Sequence, residues 1–200
     1  MLDDAPALLE EAMARFDALW KEARACAPWE PDAMSLATAD AEGRPGLRTV
    51  LLKEANARGF VFYTNYESRK GRELAANPHA ALCFFWRSLR RQVVVEGTVE
   101  RLAEARSDAY FATRARPAQL GAWASEQSRP LVDRAALQAR VEKLDRTYAG
   151  RDIPRPPHWG GFLLVPDLIE FWTPHEGRLN QRERYTRDAA GNWSVGLINP

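Results

Sequence analysis

The sequence predicts an α+β domain built on an antiparallel barrel. Many short β-branched and aromatic runs are separated by turn residues, with a few helical stretches inserted between them. The strands follow one another closely rather than alternating with long helices, which favours antiparallel pairing. No internal repeat or composition break divides the 200 residues. Residues 1–200 therefore read as one domain, with an N-terminal helix over 1–28 and a barrel with peripheral helices over 29–200. A chain of this length buries roughly 70% of its unfolded surface, enough for a core without staples.

Residues 4–27 read as a helix. Leu8, Leu9, Ala12, Phe16, Leu19, Trp20 and Ala23 recur at three- and four-residue spacing with charges between them. Asp3 or Asp4 suits its cap, Pro6 its first turn, and Pro28 and Pro31 its end. MSLATAD (34–40) then reads as a strand. LRTVLLK (47–53) and GFVFYTN (59–65) flank a short polar link and suggest a hairpin. SRKGRELAANP (68–78) is a short helix capped by Ser68 and stopped at Asn77-Pro78. AALCFFW (80–86) and RQVVVEGTVERL (91–102) form the next pair, and Gly97 suggests a bulge or bend. Residues 104–116 and 117–126 read as helices broken at Pro117. A third helix spans 131–150, with Leu137, Val141, Leu144 and Tyr148 on one stripe and Gly150 at its end. GFLLVP, LIEFW, RERYTR and NWSVGLI close the chain as strands.

Composition excludes several classes of function. Lys and Arg total 28 against 27 for Asp and Glu, so no charge excess favours nucleic acid. No apolar run approaches the ~18 residues of a membrane span, and the acidic N-terminus lacks the layout of a signal peptide. Two cysteines, Cys26 and Cys83, make no disulfide framework, which suits a reduced, cytoplasmic setting. The histidines, at 79, 158 and 175, show no metal-ligand spacing, so no metal site is expected. Nucleotide-binding glycine loops and nucleophile elbows are absent too.

Basic residues at strand ends and helix starts carry the chemistry. Arg48 and Lys53 fall on opposite faces of a regular strand, suiting two different anions. Thr64, Ser68, Arg69 and Lys70 mark a strand-to-helix transition, where helix N–H groups, a hydroxyl and two cations suit a phosphate. A capped surface helix with solvated charges fits the same residues. Tyr110 and Arg114, four apart on a helix, make a second anion clamp, or a tyrosine packed over an arginine stem. Arg178, Asn180 and Arg182 alternate in RLNQR just after Trp172. If extended they line one strand face, as a grip for a planar polar ring or as ordinary solvent-facing side chains. Gln92, inside an apolar strand, needs a partner for its amide.

Taken together, RTVLLK (48–53), GFVFYTN-x-x-SRKGREL (59–74), RRQVVVEGTVERL (90–102), SDAYFATR (107–114), GAWASEQS (121–128), PRPPHWGGF (154–162), IEFW (169–172) and RLNQR (178–182) resemble the pyridoxamine 5′-phosphate oxidase family. The match spans about residues 30–200, in order. The resemblance implies an FMN-binding split barrel, active as a homodimer with FMN at the interface. It implies oxidation of pyridoxamine or pyridoxine 5′-phosphate to pyridoxal 5′-phosphate, with O2 as acceptor and peroxide as product. Arg48, Thr49, Val50, Leu51, Leu52, Lys53, Tyr63, Thr64, Arg69 and Lys70 match FMN-holding positions, as do Gln92, Gln127, Ser128, Trp172 and Arg182. Lys53, Tyr110, Arg114 and Ala118 match the substrate-phosphate clamp, and Arg178 and Asn180 match the catalytic pair over the substrate ring.

Three departures stand out. Ala118 replaces the family's usual serine, and Asn180 replaces the histidine of its R-L-H. The basic N-terminal segment that folds over the substrate in some members has no counterpart in the match. Two other functions remain open on these residues: a related flavin oxidase for another reduced ring compound, as in phenazine-forming relatives, and a non-catalytic FMN or pyridoxal-phosphate carrier.

Overall fold

The computed structural model describes residues 5–26 and 31–200. The caps expected at Asp3 or Asp4 and the stop expected at Pro28 lie outside the described residues. Helix α1 (Ala5–Cys26) leads into strands β1 (Ala33–Ala39), β2 (Pro45–Leu51), β3 (Glu54–Asn56) and β4 (Gly59–Asn65). Helix α2 (Arg69–Ala76) precedes β5 (His79–Trp86) and β6 (Arg91–Arg101). Helices α3 (Glu104–Ala112), α4 (Arg116–Ala124) and α5 (Arg134–Thr147) come next, and β7 (Trp159–Thr173), β8 (Gln181–Arg187) and β9 (Trp193–Ile198) end the chain. The architecture is α+β, as the strand-rich sequence predicts.

All nine strands join one antiparallel sheet, in the order β2-β1-β5-β6-β7-β4-β3, with β8 added beside β7 and β9 beside β8. The two ends of the seven-strand path, β2 and β3, are consecutive in the chain, so the sheet curls and closes on itself. Leu52 and Lys53 form the seam. The Leu52 N–H donates to the Asp32 carbonyl at 2.8 Å, on the β1 side, and the Lys53 N–H donates to the Val61 carbonyl at 2.8 Å, in β4.

The seam corrects one expectation. Residues 47–53 do not form a hairpin with 59–65. β2 pairs instead with β1, and only Glu54–Asn56 pairs with β4. The chain crosses from one sheet edge to the other within two residues, so the short polar link is the turn of a smaller hairpin.

The expected strands GFLLVP and LIEFW are one 15-residue strand, β7. Gly97 of β6 pairs with Pro166 and Glu96 pairs with Leu168, so Asp167 is the extra residue of a bulge. Below the bulge Phe162 and Leu164 face the core, and above it Ile169 and Phe171 do. The buried frame shifts from even to odd numbers there. Beside β6 throughout, β7 uses its other edge to pair first with β4 and then, past the bulge, with β8.

The barrel interior is aromatic. α1 lays Ala12, Phe16, Trp20 and Ala23 against it. The Phe16 ring lies 4.8 Å from Phe60 and 5.0 Å from Phe84, both edge-on. Such pairs add about 0.5–1.5 kcal/mol each beyond simple burial. The Tyr185 hydroxyl donates to Glu11 at 2.7 Å and ties α1 to β8. A second cluster, Phe111, Leu120, Ile153 and Trp159, holds α3 and α4 on the outside, with Val141, Leu144 and Tyr148 of the α5 region against it. No described helix is long and apolar enough to cross a membrane.

At Gly97 a Cβ would lie 2.0 Å from the Val165 carbonyl oxygen, which is backbone and cannot turn aside. Gly97→Ala is therefore expected to destabilise the fold by about 1–3 kcal/mol through overpacking at the bulge. Urea unfolding midpoints check this, and an unchanged midpoint would show that the bulge tolerates a side chain.

Candidate active site

A cavity of about 580 Å³ opens beside the seam. Its wall takes Thr49, Val50 and Leu51 from the end of β2, Lys53 from the seam, and Tyr63, Thr64 and Asn65 from the end of β4. Lys70 enters from the first turn of α2, Tyr110 from α3, and Ala118, Gly121 and Ala122 from α4. Arg114, Ser125, Gln127 and Trp159 complete the lining.

Local chemistry sets Lys70 in place. The Ser68 hydroxyl accepts from the Gly71 N–H at 3.3 Å and donates to the Asn65 carbonyl at 2.7 Å, so it caps α2 and binds the helix to β4. Gly71 allows the close approach, since a Cβ there would lie 2.1 Å from the Tyr66 carbonyl oxygen. The Lys70 ammonium is buried and donates to Thr64 Oγ1 at 3.1 Å and Gln127 Oε1 at 2.9 Å. Burial, reinforced by the Arg48 charge and opposed by Glu73, pushes its pKa down to about 8.

Across the cavity the Tyr63 and Tyr110 rings stack at 3.9 Å between centroids, and the Arg114 guanidinium lies 4.6 Å from the centroid of Trp159. Arg114 Nη1 is buried without a hydrogen-bond partner. Burial lowers the Arg114 pKa, with Tyr110 opposing, and burial raises that of Tyr110. Lys53, Lys70 and Arg114 make no ion pair among the described residues, and none of the lining residues is a carboxylate. The buried Lys70 and half-buried Arg114, with the exposed Lys53 beside them and no counter-charge in the wall, fit an anionic ligand.

Arg48 and Arg69 take a different position. Neither lines the cavity, and both bind the buried Glu73 carboxylate, Arg48 through Nη2 at 2.9 Å and Arg69 through Nε at 2.7 Å. Thr38 donates to the same carboxylate and accepts from Arg48. Burial pushes the Glu73 carboxyl up, but hydrogen bonds from Thr38, Arg69 and Arg48 outweigh it and hold the pKa below the usual range. Leu52 faces the barrel core and is fully buried.

A second group of expected site residues lies on the outer face of the sheet. Gln92 pairs with Trp172 and Trp172 with Arg182, which makes one row across β6, β7 and β8. The buried Glu170 carboxylate accepts from Arg182 Nε at 2.8 Å and from Arg184 Nη2 at 2.8 Å. Burial raises the Glu170 carboxyl, but hydrogen bonds from Arg182 and Arg184 bring its pKa below the usual range. Gln92, Trp172, Arg178, Asn180 and Arg182 all lie outside the cavity wall.

Two expectations need correction. RLNQR is not extended from Arg178: Glu176–Arg178 is a single 3-10 turn and β8 begins at Gln181. Arg178 has φ +62° directly after Gly177 at +64°, and Asn180 Oδ1 accepts from the His175 N–H at 3.2 Å. The left-handed pair breaks the strand period, so Arg178, Asn180 and Arg182 share no strand face. Arg114 lies just past the end of α3 rather than within it. Ser128 follows Gln127 at φ +69° and also lies outside the lining. Trp159, Asn65 and Ser125 line the cavity without having been expected there.

Residues 19–148 match the profile of a family described as pyridoxamine 5′-phosphate oxidase. Residues 159–200 match one described as the pyridoxine 5′-phosphate oxidase C-terminal dimerisation region. The chain belongs to the pyridoxamine 5′-phosphate oxidase family. It is 53% identical over 190 residues to the pyridoxine/pyridoxamine 5′-phosphate oxidase of Myxococcus xanthus strain DK1622, covering 95% of this chain and 92% of that one. The counterpart in Anaeromyxobacter dehalogenans is 51% identical over 195 residues, 98% of each chain. Among solved structures, PhzG from Burkholderia lata, in complex with tetrahydrophenazine-1-carboxylic acid, superposes with TM-score 0.85 at 36% identity, covering 94% of this chain and 90% of that one. A pyridoxamine 5′-phosphate oxidase-related, FMN-binding protein from Nostoc punctiforme shares the fold, with TM-score 0.73 at 20% identity and coverage of 94% and 96%. Within this family of oxidoreductases, the dimerisation region contains Trp172, Arg178, Asn180 and Arg182, all of which lie away from the cavity.

Glu73→Gln is expected to destabilise the protein by about 1–3 kcal/mol at neutral pH, because Arg48 loses its buried partner. The folded-state pKa of Glu73 is lowered, so its contribution is present above the unfolded value near ~4.3 and is lost as pH falls through the folded one. The gap between wild type and variant in denaturant midpoint should therefore narrow in acid. A gap independent of pH would contradict the assignment.

Proposed function

We propose that the chain is an FMN-dependent oxidase that converts pyridoxamine or pyridoxine 5′-phosphate to pyridoxal 5′-phosphate, with O2 as acceptor. The observation that carries this reading is a cavity with three cations and no lining carboxylate, in a chain of this family. Two phosphorylated ligands, cofactor and substrate, satisfy that demand. The fit extends to Arg114, whose orphaned Nη1 is left for a phosphate oxygen.

On this reading Lys70, Thr64, Gln127 and the Thr49–Leu51 backbone hold the FMN phosphate side, with Arg48 and Arg69 supplying positive charge behind them. Lys53, Tyr110 and Arg114 hold the substrate phosphate, and Ala118 leaves that contact one hydroxyl short. Gln92, Trp172 and Arg182 reach the flavin from a second copy of the chain, and Arg178 and Asn180 meet the substrate ring. Exposed apolar side chains support a homodimer: Leu47, Phe85 and Leu197 are 71%, 60% and 69% accessible. Bound FMN would supply the two-electron acceptor, and O2 would take those two electrons from it and leave as peroxide. Pyridoxamine phosphate additionally consumes water and releases ammonia. The protein positions the reacting C4′ and supplies electrostatics. Free Cys26 and Cys83 suit a cytoplasmic setting.

Three observations favour a second reading, oxidation of another reduced ring. Ala118 in the wall and Asn180 in place of an ionisable ring both weaken recognition of the vitamer phosphates, and PhzG is a structural relative. Aerobic incubation with pyridoxamine phosphate and pyridoxine phosphate, following aldehyde and peroxide, separates the two. Wild type should turn over both. Asn180→His should raise kcat/KM about two- to tenfold, the worth of one hydrogen bond, and Arg178→Ala should lower it much further. An inert wild type with flavin fully bound, unrescued by Asn180→His, would transfer the assignment to another ring substrate or to a carrier.

The free Lys70 ammonium titrates near 8, so FMN affinity should fall as pH rises through that value. The slope should approach tenfold per unit at most, and Lys70→Met should flatten it. Fluorescence titration of flavin-free protein from pH 6.5 to 9.5 reads this out. A wild-type profile as flat as the variant's would contradict the assigned role.

A further inference from the structure

Arg114 differs from its basic neighbours. Arg106 pairs with Glu54, Arg116 with Asp145 and Arg155 with Asp108, whereas Arg114 has no carboxylate among the described residues. Its guanidinium is held instead by the face of Trp159, 4.6 Å from the ring centroid. The ring is itself fixed. Trp159 is 6% exposed, Phe111 meets it edge-on at 5.2 Å, and Tyr63 stacks on it at 5.5 Å. Its position in β7 is set by pairing with Asn65, in the strand end that carries Thr64.

A carboxylate would also anchor this arginine, but it would neutralise the charge and compete with an incoming anion. An aromatic face does neither. It attracts the cation from above and leaves the five N–H donors, which lie in the guanidinium plane, free for an acceptor. The unpartnered buried Nη1 is what such an arrangement leaves behind.

We propose that Trp159 is the positioning residue that holds Arg114 charged and uncommitted, and that it thereby sets the preference for a phosphorylated over an unphosphorylated ring substrate. The inference rests on the vitamer-phosphate reading above. Trp159 acts through Arg114 and need not touch the substrate itself. Removing the ring face lets the guanidinium swing or recruit a carboxylate, and the loss falls on the phosphate contact alone.

Binding of pyridoxal 5′-phosphate and of pyridoxal to the FMN-loaded protein, measured by calorimetry, tests this without turnover. The readout is the ratio of the two dissociation constants. Trp159→Phe, which keeps a weaker face, should reduce the preference for the phosphorylated ligand about threefold, and Trp159→Met about tenfold. In an Arg114→Met background, Trp159→Phe should leave the ratio unchanged, so the cycle decides the question even if Trp159→Met fails to fold. Equal weakening of both ligands would reduce Trp159 to a packing role and overturn the inference. So would a ratio that Trp159→Phe leaves unchanged, or one that it changes equally in both backgrounds; each of these leaves the vitamer reading standing. A wild type that binds the two ligands equally would overturn that reading and the inference with it.

Discussion

Closure of the barrel at Leu52–Lys53 is the constraint on which the rest of the structure depends. Two successive N–H groups bond to opposite edges of the same sheet. A crossing that abrupt leaves no room for regular pairing between the edges, and the cavity opens beside it. Residues just before the seam and the end of β4 form one wall, and Lys53 stands at the crossing itself. The cavity follows from how the barrel shuts. Helices α2, α3 and α4 then bring cations and aromatic rings to an opening that already exists.

Electrostatics divides the basic residues into two kinds. Arg48, Arg69, Arg182 and Arg184 are held by two buried carboxylates, Glu73 and Glu170. These arginines are fixed in direction, and the two carboxylates offset half of their charge. Lys53, Lys70 and Arg114 have no such partner among the described residues and face the cavity. The first kind builds the frame and the second leaves a local surplus of positive charge. Net charge near zero over the whole chain, +1, conceals this separation.

Much of this was legible in the residues. Ser68 and Asn77 bracket α2, Gly97 marks the bulge and the 80–102 hairpin forms, because each is a local signal of capping, sterics or alternation. Lys53, Tyr63, Thr64, Lys70, Tyr110, Arg114, Ala118 and Gln127, all singled out in the sequence, line one cavity. What failed was non-local. Nothing between residues 47 and 65 announces that β2 and β4 belong to different edges. Gly177 beside Arg178 breaks a period that the alternation of polar residues alone suggested. Glu73 and Glu170 gave no signal of burial, because a carboxylate shows its burial only through partners far along the chain. Trp159 stood in a matched run with no role of its own, because its contacts to Tyr63, Phe111 and Arg114 are all distant in sequence.

The kink in β7 has a consequence for how this strand can vary. Its buried frame is even before Asp167 and odd after it, so the two halves keep separate phases. A residue gained or lost elsewhere in the strand would rotate everything beyond it by half a period. Glu170 and Trp172 would then turn into the barrel while Ile169 and Phe171 turned out to water. At the kink the sheet already accommodates a mismatch of one residue. Variation in length along this strand is thus confined to one position, and the two ends of β7, Trp159 beside the cavity and Trp172 on the outer face, can each change without disturbing the phase of the other.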